Sequence, residues 1–174
     1  MVSSSEMPYF VRPSINIADA EKVEIYAKAQ AEIDALLQGE THPILKMATI
    51  NCLLKTHLTY YYWTGFYLVH EEHLIVGPYQ GTLGCLHIDF DRGVCGKAAR
   101  EKMTQIVTDT HALEQGKDHI ACDPNSQSEI VVPVFNGKKE LIAVFDVDSS
   151  EKNSFNHIDQ TYSESILNHH FSQE

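Results

Sequence analysis

Three of the chain's four cysteines fall in three different settings that each bear on sulfur chemistry. Cys122 sits in a long polar stretch beside His111, Asp118, His119 and Asp123, where no apolar pattern calls for a cysteine and a substrate could reach the thiol. Cys95 opens a short helical stretch, Gly93-Val94-Cys95-Gly96, and a helix N-terminus favours the thiolate. Cys85 lies in an alternating stretch that reads as a strand, where an inward cysteine usually behaves as a small hydrophobe. Taken singly, Cys85 and Cys95 read more readily as packing than as chemistry, whereas Cys122 is balanced between the two. The fourth, Cys52, falls on an apolar helix and reads as core filling.

Carboxylates inside apolar strands form the second group. Glu129 opens Glu-Ile-Val-Val-Pro-Val-Phe, and Asp146 and Asp148 interrupt Ala-Val-Phe-Asp-Val-Asp-Ser. Residues two apart on a strand share a face, so Asp146 and Asp148 point the same way. Acidic residues are depleted in strands and costly to bury unpaired. Such a cluster suits a ligand with a positive group, or a carboxyl kept protonated so that it can donate; the plainer alternative is a wet strand end. The aromatic run Tyr60 to Tyr67 contains the only tryptophan, and strand alternation puts Trp63 and Tyr67 on one face, as core or as an apolar wall. Zinc wants paired clusters such as C-x2-C, which the chain lacks; no metal site is expected.

The elements that must hold these residues follow from periodicity. A helix is predicted over 19–37, with Val23, Tyr26, Ala27, Ile33, Leu36 and Leu37 on one face, and a second, largely buried helix over 43–57 with Pro43 at its first position. Strands are predicted over 62–69, 73–79 and 83–89, a helix over 93–101, a strand over 105–108, a long polar loop over 110–126, and a hairpin of 128–135 and 140–148 around Asn136-Gly137. Asn156, with Asp159 three residues on, has the spacing of a capping box for a last helix whose buried face runs Ile158, Tyr162, Ile166, His169. The expectation is a single α+β domain over 17–174, a mostly antiparallel sheet flanked by N- and C-terminal helices, after an irregular arm over 1–16.

The 174 residues fit one domain. A net charge of −11, from 13 basic and 24 acidic residues, argues against a nucleic-acid partner. No stretch approaches the roughly 20 apolar residues of a membrane span, and Met1 to Met7 lacks the apolar core of a secretion signal. A cytoplasmic location is expected, in which structural disulfides are improbable.

Taken together, the segments resemble the free methionine-(R)-sulfoxide reductases, a family on the GAF fold. The resemblance rests on Trp63-Thr64-Gly65-Phe66-Tyr67, Gly77-Pro78-Tyr79-Gln80-Gly81, Cys85, Gly93-Val94-Cys95-Gly96, His119-Ile120-Ala121-Cys122-Asp123, the stretch Ser126 to Pro133, and Asp146-Val147-Asp148-Ser149, in the family's order over roughly residues 20–167. The loop before His119 is longer here, through Gln115 to Asp118, and Tyr60 to Thr64 carries extra tyrosine and a threonine. The resemblance implies a thiol-dependent oxidoreductase: a thiolate attacks the sulfoxide sulfur, a cysteine sulfenic acid forms, a second cysteine closes a disulfide, and a thioredoxin-like reductant restores the thiols without a bound cofactor. By its loop position and the family match Cys122 is the nucleophile; Cys85 is the resolving cysteine, and Cys95 is the rival for either role. The resemblance implies that Glu129, Asp146 and Asp148 hold the substrate ammonium and polarise the sulfoxide oxygen, with Trp63 and Tyr67 against the methyl group, and it suggests a homodimer. The competing expectation is a non-catalytic GAF domain that senses a small molecule.

Overall fold

The computed structural model describes residues 12–113 and 123–173. Helices α1 (Asp19–Leu36) and α2 (Pro43–His57) precede strands β1 (Trp63–His70), β2 (His73–Gln80) and β3 (His87–Asp89). Helix α3 (Gly93–Glu101) then leads to β4 (Gln105–Val107), a 3-10 turn (Thr110–Ala112), the hairpin β5 (Ser128–Phe135) and β6 (Leu141–Ser149), and α4 (His157–Phe171). The sheet runs β3-β2-β1-β6-β5-β4, with every neighbouring pair antiparallel. The α+β fold predicted from periodicity is the one found.

Alternation along the central strands divides the molecule into layers. Phe66, Ile130, Val132, Ala143, Phe145 and Val147 face one way, into a core closed by α1, α2 and α4. Trp63, Tyr67, Val131 and Val144 face the other way, toward α3. The carboxylates on β5 and β6 belong to this second face. No described helix is long and apolar enough to cross a membrane.

Local differences from the predicted elements have physical causes. The buried stripe of α1 is Lys22, Tyr26, Ala29 and Ile33, while Val23, Ala27 and Leu36 are exposed. A buried lysine turns the helix away from the purely apolar reading: Lys22 Nζ lies 2.7 Å from Asp159 Oδ2 and donates to Ser154 O. Tyr26 and Tyr60 both donate to Asp159 Oδ1. Asp159 also closes the capping box with Asn156, so one carboxylate joins α1, α4 and the chain entering β1. Substituting Lys22 by Met leaves Asp159 buried without its counter-charge; a loss of about 3–5 kcal/mol is expected in chemical denaturation. A loss below about 1 kcal/mol would show the pair to be dispensable.

Helix α2 has its predicted ends but only one buried face, Lys46, Met47, Ile50, Asn51 and Leu54. Ile44 and Leu45 are exposed, and so is Cys52, which is therefore not the core filler expected. The third strand is shorter than predicted because 81–86 forms a loop. In the β5–β6 hairpin the left-handed residue is Lys139 rather than Gly137, because Asn136 Oδ1 accepts from the backbone of Lys138 and Glu140 and widens the turn. On α4 the buried histidine is His170, not His169, since His170 Nε2 meets Asp34 Oδ1 at 2.8 Å. Residues Ser14 to Asn16 of the arm have no regular structure, yet Ser14 is tied to Tyr60 and Ser150.

Candidate active site

Sheet register does most of the assembly. Asp148 pairs across to Trp63 on β1 and to Glu129 on β5, so these three form one cross-strand row. Asp146 pairs with Gly65 and Val131 in the next row of that face. Glycine at 65 clears space: a Cβ there would meet the Trp63 ring and Tyr79 Cβ at 2.5 Å. The Trp63 indole stacks between Tyr67 and Tyr79 at centroid distances of 5.8 and 5.4 Å, and its Nε1 donates to Thr82 O. Gly84 also packs on it, since a Cβ there would lie 2.9 Å from the ring. An aromatic wall held this tightly is rigid.

Helix α3 brings Cys95 down onto the carboxylates. Its close approach to the chain after β3 needs Gly96, where a Cβ would lie 2.6 Å from Asp89 O. The cleft, about 550 Å3 when the open space at its mouth is counted, is lined by Trp63, Tyr67, Cys95, Glu129, Asp146 and Asp148, together with Tyr62, Thr82, Asp123 and Ser126. Glu129 and Asp146 are 5% and 6% exposed. Asp146 Oδ1 has no hydrogen-bond partner among the described residues, an oxygen aimed at something that can donate to it.

The electrostatics of the cleft are one-sided. Burial, then the charges of Asp146 and Asp148, push the Glu129 carboxyl well above the ordinary carboxylate range. Burial and Asp148 do the same to Asp146, against hydrogen bonds with Cys95 and Glu129 that pull it down. Asp148 is partly exposed at the rim, but its carboxyl group is enclosed and pushed up to about 7, opposed by a hydrogen bond from Ser126. Neighbouring carboxyls in a dry pocket cannot all ionise at once. With no described cation among the lining residues, the cluster suits a ligand that brings its own positive charge.

Cys95 is a free thiol with its ionisation opposed by burial first, and then by Asp146, Glu129 and Asp148. The helix-terminus preference for a thiolate, read from sequence, is thus countered by its surroundings. Cys85 is half-buried, on the loop between β2 and β3, and is disulfide-bonded. Cys122 lies outside the described residues, as does His119. The carboxylates, Trp63 and Tyr67 named from the sequence share this cleft; Tyr62, Thr82, Asp123 and Ser126 were not singled out from it. Asp123 and Ser126 do flank Cys122 and Glu129 in the motif-bearing stretch, so their place in the sequence was the available signal.

Two groups of side chains have metal-ligand spacing among the described residues. Cys95, Glu129 and Asp146 offer atoms within 4.8 Å of one another, as do Asp34, His169 and His170 on the far side of the helical layer. In the cleft, burial favours the protonated forms of all three groups, which ligate poorly.

The GAF domain family profile matches residues 59–169. The chain is 40% identical over 129 residues to the free methionine-R-sulfoxide reductase of Escherichia coli, covering 74% of this chain and 76% of that protein. It is 33% identical over 156 residues to the free methionine-R-sulfoxide reductase of Saccharomyces cerevisiae, covering 86% and 85%. Among solved structures, the free methionine-R-sulfoxide reductase of Neisseria meningitidis in complex with its substrate superposes with a TM-score of 0.79 at 34% identity, over 91% of this chain and 92% of that one.

Proposed function

Because the chain belongs to the GAF-domain family of free methionine-(R)-sulfoxide reductases, and so is an oxidoreductase, we propose that it reduces free L-methionine (R)-sulfoxide to methionine in the carboxylate-lined cleft. The observation that carries this reading is the row Glu129–Asp148–Trp63 with Asp146 beside it. Anionic groups for an ammonium and an aromatic wall for a thioether methyl stand side by side. Among the described lining residues there is no cation, and a free amino acid brings one in its ammonium group.

In the reaction the Cys122 thiolate attacks the sulfoxide sulfur. The S–O bond of the substrate breaks, the oxygen passes to Cys122 as a sulfenic acid with one proton taken up, and the substrate sulfur gains two electrons as methionine leaves. The Glu129–Asp146 pair, whose carboxyls burial pushes toward the protonated form, holds the proton and donates it toward the sulfoxide oxygen. Asp148, held by Ser126, is the carboxylate that meets the ammonium group. Trp63 and Tyr67 pack on the methyl group. The Cys85 sulfur then attacks the sulfenic sulfur, forming the S–S bond, and the displaced hydroxyl leaves as water with the proton of the Cys85 thiol. That the chain has four cysteines, with Cys52 and Cys95 free and Cys85 bonded, supports Cys85 and Cys122 as this pair. An external dithiol of the thioredoxin type returns both to thiols.

The test is methionine release from the free (R)-sulfoxide with dithiothreitol, beside the N-acetylated (R)-sulfoxide. Acylation removes the positive charge and leaves buried carboxyls unmatched, so kcat/KM for the acetylated compound is expected to fall about 10^3-fold or more. Comparable rates would mean that the cleft does not recognise the ammonium. No methionine from either compound would favour the small-molecule sensor.

A further inference from the structure

Asp123 is the first described residue after Cys122, and every oxygen of its carboxylate is engaged. Oδ2 accepts from Thr82 Oγ1 at 2.7 Å and from Tyr62 Oη at 3.1 Å. Oδ1 accepts from the backbone N and the side-chain Nδ2 of Asn125, at 2.8 and 2.9 Å. Burial would raise this carboxyl, but those donors together hold it below the ordinary carboxylate value. The partners come from three segments: the entry to β1, the 81–86 loop, and the turn leading to β5. Thr82 is three residues before Cys85, and its carbonyl is itself fixed by the Trp63 indole.

We propose that Asp123 is a positioning residue whose carboxylate latches the backbone next to Cys122 onto Thr82, and thereby sets how fast the Cys122 and Cys85 sulfurs close into a disulfide. The inference rests on reading those two cysteines as the redox pair. Asp123 is joined directly to Cys122 in the sequence, and adjoining Cα atoms are about 3.8 Å apart, so whatever holds Asp123 acts one peptide unit from the thiol-bearing residue. A short S–S bond, formed by in-line attack, is sensitive to small displacements of either loop. Hydrogen bonds to a charged acceptor are the stronger kind, which suits a latch that must hold while the disulfide opens and closes.

The test uses the full chain, reduced and desalted, then oxidised with hydrogen peroxide so that no methionine sulfoxide is needed. Peroxide transfers one oxygen to the Cys122 thiolate to give the sulfenic acid; attack by Cys85 then gives disulfide and water. Sulfenic acid is read as the dimedone adduct at Cys122, and closure as the Cys85–Cys122 disulfide, by quenched mass spectrometry. In Asp123→Ala, closure is expected to slow about 10-fold or more, with the adduct accumulating and sulfenic acid formation little changed. Asp123→Asn should restore most of the rate, because its amide oxygen still accepts from Asn125 and its amide N–H groups can donate to the hydroxyls of Thr82 and Tyr62. Thr82→Val, which removes one donor and no charge, should slow closure less, in the same step.

Closure at the wild-type rate in Asp123→Ala, equal slowing of both steps, or an Asn variant as slow as the Ala variant would each overturn the proposal. So would a wild-type protein that forms no such disulfide. If Asp123→Ala does not fold, Thr82→Val decides: wild-type closure in it overturns the latch. A protein that shows the expected closure pattern but releases no methionine from the sulfoxide would retain the latch and lose the proposed function.

Discussion

Cys122→Ser is expected to abolish turnover while leaving the substrate bound. A serine hydroxyl is scarcely ionised near neutral pH and has no counterpart of the sulfenic acid on which to carry the sulfoxide oxygen. Loss of a covalent nucleophile costs on the order of 10^4-fold or more in kcat. On the proposed assignment binding rests on Trp63 and the three carboxylates, so calorimetric affinity for the sulfoxide should be preserved. The contrast is with Cys95→Ser. Cys95 is buried beside Asp146, and the surrounding acids oppose its ionisation. Serine keeps its size and its donor toward Asp146, so the cost should stay within about tenfold. If instead Cys95→Ser is dead and Cys122→Ser turns over, the helix terminus outweighs the carboxylates and the nucleophile is Cys95. Cys85→Ser should give one equivalent of methionine per chain before stalling with Cys122 oxidised.

Without ligand, the protein is expected to become less stable as the pH rises from 5 to 8. Glu129, Asp146 and Asp148 all have folded-state values raised above those of the unfolded chain. A raised group contributes stability that is fully present below its unfolded value and is lost as the pH passes through its folded value. For Asp148 that window runs from about 4 to about 7, with a cost on the order of a few kcal/mol once the group is forced to ionise in place. Asp148→Asn should therefore raise Tm at pH 8 by roughly 5–10 °C, change it little at pH 5, and weaken sulfoxide binding. His170, lowered by burial, acts in the opposite sense, but it is common to both proteins and cancels in the comparison. Parallel melting curves for wild type and Asp148→Asn across this range would show that Asp148 is not held against its charge. A gain in stability from removing an ionisable group, coupled to a loss of binding, distinguishes a functional cluster from a wet strand end.

What the sequence showed and what it hid divide along physical lines. Local signals gave α2, α3 and β5 their ends: proline at a first helical turn, the short helical run Gly93 to Glu101, a β-branched run before Asn136. The capping box at Asn156 and Asp159 was equally local. Errors arose where a distant partner overrode local preference. Nothing near Lys22 says that it will be buried, because its partner Asp159 is on α4. The exposed Cys52, Ile44 and Leu45 show an apolar helix with one face uncovered in this chain. In the cleft, alternation was enough to put Asp146 with Asp148 and Trp63 with Tyr67. It could not show that both pairs lie on the same face of the sheet, which depends on the β1–β6 register. Thr82 and Ser126 were given no role because lone hydroxyl residues in loops carry no periodic pattern, although Ser126 opens the motif-bearing stretch Ser126 to Pro133. They are identified only by what their side chains reach.

The row Glu129–Asp148–Trp63 is fixed by strand pairing in the middle of the sheet, whereas Cys85 rides on the loop between β2 and β3. On the proposed assignment, recognition and redox chemistry have separate mechanical supports. A chain stripped of Cys85 and Cys122 should keep a receptor for the sulfoxide: a module that reports an oxidised metabolite without consuming it. By the same partition, a catalytic protein and a signalling one could diverge through loop substitutions alone, with the scaffold between them unaltered.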